Sequence, residues 1–315
     1  MVRIFHHNDH DGRLAAFWVI SAYYHPQWQA TACHEVDYGR PFPIQEIKPG
    51  DTVWIVDFSI EPDMMRQILD AGHFVFWVDH HVSAIAKYKE FDWKKLKTIR
   101  CTSSEYAACV LVWGVIKFLG GKIGLDYGDI TDLVIETIHD CWEEIPLATR
   151  YVGDYDSWAH RYRPDSTHFI LGSSLADMDP HSDFWDDVNT GRNDLMRSTL
   201  EHGSVIERYR DSFNEEYRSR YAYEVEWEGH KCLVMNMGHG SSLAFGPLFY
   251  AYNICICAVF NGECWTVSLY ADQARGVDVS KIAAKYEWEG RRGGGHKGAA
   301  GFQCGELPFR KAAAE

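Results

Sequence analysis

Three stretches of this chain share one pattern: a short apolar run that ends on charge. "VRIFHH" leads into "NDHDG", "TVWIVD" ends at Asp57, and "FVFWVD" ends at Asp79, followed by His80 and His81. Apolar runs without polar alternation have both faces buried, which is the situation of strands in a parallel sheet covered by helices. Helical spacing at 13–23, 62–71 and 104–119 supplies the covering layers. The expected class is therefore α/β, with a parallel sheet between two layers of helices. In such sheets ligands bind at the carboxyl ends of the strands. Here those ends carry carboxylates, which repel one another unless cations neutralise them.

If residues 5–11 continue the first strand in extended form, His7, Asp9 and Asp11 point to one side, and His6, Asn8 and His10 to the other. A polar strand end followed by a D-G turn is the plain alternative for this stretch alone. With Asp57 and Asp79–His81 added, the donors form a mixed nitrogen and oxygen set, better suited to Mn²⁺ than to Ca²⁺. They outnumber what one ion needs. Two ions, roughly 3.5–4 Å apart, are the natural expectation, and phosphoester hydrolysis is the common chemistry of such pairs.

In order along the chain, "HNDHDG", "VDF", "VDHH" and "GGGHKGAAGF" resemble the DHH phosphoesterase superfamily, in the subfamily with a C-terminal DHHA1 domain. That subfamily includes nanoRNases acting on very short oligonucleotides, phosphatases of 3′-phosphoadenosine 5′-phosphate, and cyclic-dinucleotide phosphodiesterases. The resemblance implies a catalytic DHH domain over 1–194, a helical connector over 195–220 and a smaller α/β DHHA1 domain over 221–315, with the active-site cleft between the domains. It also implies ligand roles for His7, Asp9 and Asp57 on one Mn²⁺, and for Asp11, Asp57 and His80 on the other, with Mg²⁺ or Co²⁺ as substitutes. His81 resembles the histidine that contacts the scissile phosphate, and Asp79 the residue that orients this segment. The family supplies one more aspartate, for which "YVGDYDSWAHR" offers Asp154, the preferred match, and Asp156 as alternate. In the Gly-rich loop, Gly293, Gly294, Gly295, His296 and Lys297 resemble a clamp on the far end of the substrate. Relatives often carry an arginine where this chain has Tyr270, and Arg275 is the nearest replacement. His239, in the "NMGHGSS" loop, reads as a surface histidine.

The second half reads as strands at 223–228, 231–236, 254–260 and 264–270 with a helix near 277–286, after a polar loop at 183–193 and a charged helix at 195–220. The chain has 315 residues and a formal net charge of −14, which argues against long duplex nucleic acid as partner, since that binding rests on many Lys and Arg contacts. A short phosphorylated oligonucleotide or dinucleotide held through metal ions is compatible with that charge. No apolar run is long enough for a membrane helix. The N-terminus lacks a signal-like segment, so a cytoplasmic protein is expected, and a homodimer is admitted. Nine scattered cysteines argue against a disulfide framework, and twelve tryptophans read mostly as core. The leading expectation is a Mn²⁺-dependent hydrolase of short oligonucleotides. A dinucleotide phosphodiesterase or nucleoside bisphosphate phosphatase, and a non-enzymatic nucleotide sensor, are the competing readings.

Overall fold

The computed structural model describes residues 1–23, 31–38, 40–94, 96–120, 128–238 and 240–310. His239 lies outside them. The chain divides into two compact units, Met1–Ile206 and Glu207–Glu315.

The first unit is built on six strands: β1 Val2–His7, β2 Thr31–Val36, β3 Thr52–Val56, β4 Phe74–Asp79, β5 Thr98–Thr102 and β6 Gly128–Asp129. They pair in the order β2-β1-β3-β4-β5-β6, and every pairing is parallel. All carboxyl ends therefore share one edge. The chain steps from β1 out to β2, then returns past β1 to β3. The order reverses between β1 and β3, and a crevice opens at such a reversal.

The apolar runs are buried on both faces. Ile4, Trp54, Phe76 and Ile99 point into one core, where they meet helices α1 (His10–Tyr23), α4 (Ala108–Leu119), α5 (Thr131–Asp140) and α6 (Leu147–Asp156). Phe5, Ile55, Val75 and Trp77 point into the other, against α2 (Pro62–Asp70) and the short α3 (Val82–Ile85) with the turn after it. Trp54 and Phe76 are register partners on β3 and β4, and their rings stack at 3.9 Å. Arg3 on β1 is buried and pairs with Asp51, just before β3, at 2.6 Å.

The remaining helices of the unit are α7 (Asp165–Ser173) and α8 (Asp183–Asn189), followed by α9 (Asn193–Tyr221), which runs across the division between the units. Three expectations change here. The first strand stops at His7 and α1 starts at His10, so Asp9 and Asp11 are not on an extended strand. Gly12 does not turn the chain but lies inside α1, where a Cβ would stand 2.4 Å from the His7 carbonyl oxygen. Residues 183–189 form a helix rather than a surface loop, because Phe184, Trp185 and Val188 are buried in the core beneath the polar positions.

The second unit holds strands β7 Tyr223–Trp227, β8 His230–Met235, β9 Ile254–Phe260, β10 Trp265–Tyr270, the hairpin pair β11 Glu287–Trp288 and β12 Arg291–Arg292, then β13 Gly294–Gly295 and β14 Ala299–Cys304. Its main sheet has the order β13-β14-β10-β9-β8-β7, antiparallel except for β8 beside β9. Helix α10 (Val279–Ala283) covers one face over Trp227, Ile256, Leu269 and Phe302, while Leu233, Met235, Phe245 and Cys255 pack on the other. Both units are thus α/β.

Candidate metal centre

Strand register sets the site. Val56 on β3 is level with His6 on β1 and with Val78 on β4, so His7, Asp57 and Asp79 follow at the same edge. Asp57 then leaves the strand with φ +54°, a left-handed conformation that aspartate tolerates better than most residues. Its N–H still bonds the Val78 carbonyl at 2.9 Å. The side chain is buried at the reversal of the sheet.

Seven side chains gather there. His7 Nδ1 is 2.6 Å from Asp9 Oδ2 and 3.8 Å from Asp57 Oδ2. His80 Nε2 is 3.1 Å from Asp57 Oδ1, 3.3 Å from Asp156 Oδ2 and 3.6 Å from Asp11 Oδ2. Three triplets, His7–Asp9–Asp57, Asp11–His80–Asp156 and Asp57–His80–His81, each offer donor atoms within 4.8 Å of one another. Asp57 belongs to two of them.

Each ligand candidate has its own support. Asp9 accepts the Gly12 N–H at 2.9 Å from the start of α1. Asp11, in the first turn of α1, accepts the N–H groups of Ala108 and Cys109 at 2.8 and 2.7 Å, which caps α4. Asp79 is fully buried and accepts from the His80 N–H, the His81 N–H and His81 Nδ1, the last at 2.8 Å. The Ser59 hydroxyl donates to its other oxygen and receives the Trp77 indole N–H at 3.2 Å. Asp79 thus fixes Nδ1 as the protonated nitrogen of His81.

Electrostatics show a cluster built for cations. Burial, followed by the charges of Asp11, Asp9, Asp156 and Asp79, pushes the Asp57 carboxyl well above its usual range. Asp156 is raised by burial and by Asp11 and Asp9. Burial lowers His80, keeping its ring neutral and able to ligate. Burial works against His7 and His81 too, but their hydrogen bonds to Asp9 and Asp79, together with the charges of the surrounding carboxylates, prevail and raise both. Asp57 Oδ2 is buried and has no hydrogen-bond partner among the described residues. Left without a cation, that oxygen and this crowd of carboxylates are costly. The donor set fits one or more divalent ions.

Of the two aspartates expected near the end of α6, the structure brings Asp156, the alternate, to His80. Asp154 accepts the Arg161 and Tyr162 N–H groups at 2.6 and 3.2 Å and the Ser166 hydroxyl at 2.7 Å, so it ties down the loop after α6. Two residues on, Asp156 reaches His80. Sequence reasoning prefers Asp154 because an aromatic follows at the family spacing, but three local donors occupy its oxygens. Ser59 and Tyr38 are not singled out by the sequence. Ser59 follows Asp57 by two residues, the one available signal. Tyr38 has none.

In the second unit the glycine-rich stretch is a hairpin. Gly294 and Gly295 face Gly301 and Ala300, and His296 N–H closes the turn on the Ala299 carbonyl at 2.7 Å. The Gly293 N–H bonds Tyr286 O at 2.9 Å, so two of the loop's donors are committed internally. A Cβ on Gly293 would meet the Ala283 carbonyl at 2.3 Å, so close packing accounts for that glycine. The His296 and Lys297 side chains are exposed. Arg275 donates to the Tyr250 carbonyl, and the Tyr270 hydroxyl to the Gly240 carbonyl at 2.7 Å.

In fold the chain is similar to the DHH domain of a protein described as a member of a family of ribosomal proteins. That likeness has a TM-score of 0.52 and 13% identity over 95% of this chain and 82% of the other. The chain therefore has the fold of a DHH domain. Looser likenesses are to an uncharacterized protein from Helicobacter pylori (TM-score 0.42, 16% identity, 99% and 94% covered) and to the pGpG-specific phosphodiesterase PggH of Vibrio cholerae (0.46, 13%, 97% and 94%). No protein-family model and no curated protein matches the sequence. Among the described residues no helix is long and apolar enough to cross a membrane.

Proposed function

We propose that the protein is a metal-dependent phosphoester hydrolase acting on short oligonucleotides or dinucleotides. The observation that carries this is the gathering of His7, Asp9, Asp11, His80 and Asp156 in overlapping groups around the buried Asp57, one of whose carboxylate oxygens has no hydrogen-bond partner among the described residues. His7, Asp9 and Asp57 would hold one ion, and Asp11, Asp57, His80 and Asp156 the other. Mn²⁺ suits this mixed set, with Mg²⁺ and Co²⁺ as substitutes. Such a pair of ions supplies a water acidified to hydroxide and neutralises phosphoryl oxygens.

The chain's own residues do the rest. Asp79 keeps a proton on His81 Nδ1 and holds the ring at the edge of the cluster, 3.7 Å from Asp57 Oδ1. A histidine so held stays cationic to higher pH, which suits it to charge on a phosphoryl oxygen. Ser59 and Trp77 fix Asp79 from behind. The net charge of −14 favours a short substrate over a long duplex.

The test is product chromatography after incubation with Mn²⁺. The panel holds 5′-phosphorylated RNA and DNA from dimers to long single strands, cyclic dinucleotides and 3′-phosphoadenosine 5′-phosphate. Asp57→Asn is the control, because asparagine keeps the left-handed backbone. Mononucleotides from dimers and trimers, absent with the variant, are expected. No turnover by folded, metal-loaded protein would overturn the reading in favour of a binding protein.

A further inference from the structure

Beside the cluster, Tyr38 follows β2 and is half exposed, at 51%. Lone exposed aromatics are ordinary on protein surfaces. Tyr38 differs because it is pinned. One face of its ring stacks on Phe58 at 4.4 Å, and Phe58 is buried directly after Asp57. Its ring centre is 5.8 Å from that of His7 and 6.0 Å from that of His81. Its hydroxyl accepts the Ser59 N–H at 3.3 Å. Ser59 is also the residue whose hydroxyl holds Asp79, which in turn holds His81. One residue thus sets both the aromatic ring and the histidine. With Phe58 stacked on it and half the residue exposed, the ring offers aromatic surface next to a centre that otherwise offers charge.

We propose that Tyr38, backed by Phe58, is a stacking subsite for a nucleobase of the substrate whose phosphate lies at the His–Asp cluster. The inference rests on the phosphoester reading above. A nucleobase is the group that matches: it is planar, presents a π-face, and is tethered to phosphate through a sugar. Stacking tolerates any base, since all share that face. Tyr38 then selects nucleotides over other phosphoesters without selecting among bases, and acts by positioning.

The test is calorimetric binding to Mn²⁺-loaded protein of two ligands, adenosine 5′-monophosphate and ribose 5-phosphate, which differ by the base. Wild type should bind the nucleotide more tightly. Tyr38→Ala should weaken nucleotide binding by about 5- to 100-fold while ribose 5-phosphate is unchanged. Tyr38→Phe and Tyr38→Trp should restore it, because the ring and not the hydroxyl is what counts. Equal weakening of both ligands, or rescue by neither ring, would make Tyr38 a support of the cluster and overturn the subsite. Equal affinity of wild type for both ligands would overturn it as well. If metal-loaded wild type binds neither ligand, the phosphoester reading itself fails and the subsite falls with it.

Discussion

Asp154 and Asp156 end the same helix two residues apart, yet one carboxylate is filled by three local donors while the other lies 3.3 Å from His80 Nε2. Asp156→Asn should therefore cut bound Mn²⁺ from two ions to one, and lower activity by more than about a hundredfold, without loss of thermal stability. Asp154→Asn should do the reverse, costing about 1–3 kcal/mol in folding while leaving metal stoichiometry intact. Metal analysis and thermal melts of the two variants decide it. Swapped phenotypes would return the ligand role to Asp154.

Asp79 orients His81 through Nδ1. In Asp79→Asn the amide oxygen can keep the N–H donors of His80 and His81, but the negative charge that holds His81 protonated and oriented is lost. Turnover should fall by about 10²–10⁴, comparable to the loss of an orienting aspartate in a catalytic triad. Bound metal should be unchanged. A parallel loss of metal would show that Asp79 supports the ligands themselves.

The raised Asp57 carboxyl makes a pH prediction for metal-free protein. An unfolded aspartate titrates near pH ~3.9. Folded Asp57 holds its proton to higher pH, so the folded state binds more protons than the unfolded one and stability falls as pH rises through that window. Asp57→Asn removes this penalty. With chelator present, the variant should melt a few degrees above wild type at pH 7.5, and the gap should narrow as pH falls and vanish near the unfolded value of ~3.9. Excess Mn²⁺ should reverse the order. A variant less stable than wild type at every pH would show that burial of Asp57 is compensated in some other way.

Arg3 and Asp51 test the frame that carries the site. The pair is buried at 2.6 Å and joins β1 to the approach of β3, and Asp51 also accepts the Lys48 N–H at 2.9 Å. Burial raises its carboxyl, but the hydrogen bonds from Arg3 and the Lys48 N–H together with the Arg3 charge outweigh this and lower it. Its contribution is therefore present above pH ~4 and lost as pH falls through the folded value. Asp51→Asn should cost about 3 kcal/mol at pH 7, read as a lower urea midpoint, and progressively less below pH ~4. A pH-independent difference would point to packing rather than charge.

The sheet and its edge are legible in the sequence because parallel strands buried on both faces cannot alternate. "TVWIVD" and "FVFWVD" announce themselves in this way, and their terminal aspartates are placed by register. Strand β2, "TACHEV", does not stand out: it lies at the sheet's edge, paired only with β1, and can keep polar side chains. Helix α8 escapes notice because "DFWDDVN" shows only three apolar positions in seven, all turned inward. The gathering of His7, Asp9 and Asp11 at the sheet edge is reached in the sequence through a wrong local conformation. A strand turning into a helix brings the same residues together as an extended strand would have aligned, so residue identity survives the error. The distinction between Asp154 and Asp156 is not available in the sequence at all, since it depends on donors seven to twelve residues downstream.

Asp11 has a further consequence. It lies between the cluster and the first turn of α4, whose N–H groups lack partners within the helix and make that end electropositive. Cations bound by the cluster would face this end of a buried core helix, and like signs would meet at short range. The Asp11 carboxylate separates them and acts as an electrical insulator between the ions and the core. Replacing it with a neutral ligand would leave a donor atom in place and still set the ions against the helix. The charge of this residue is thus bound to the fold as tightly as to the site.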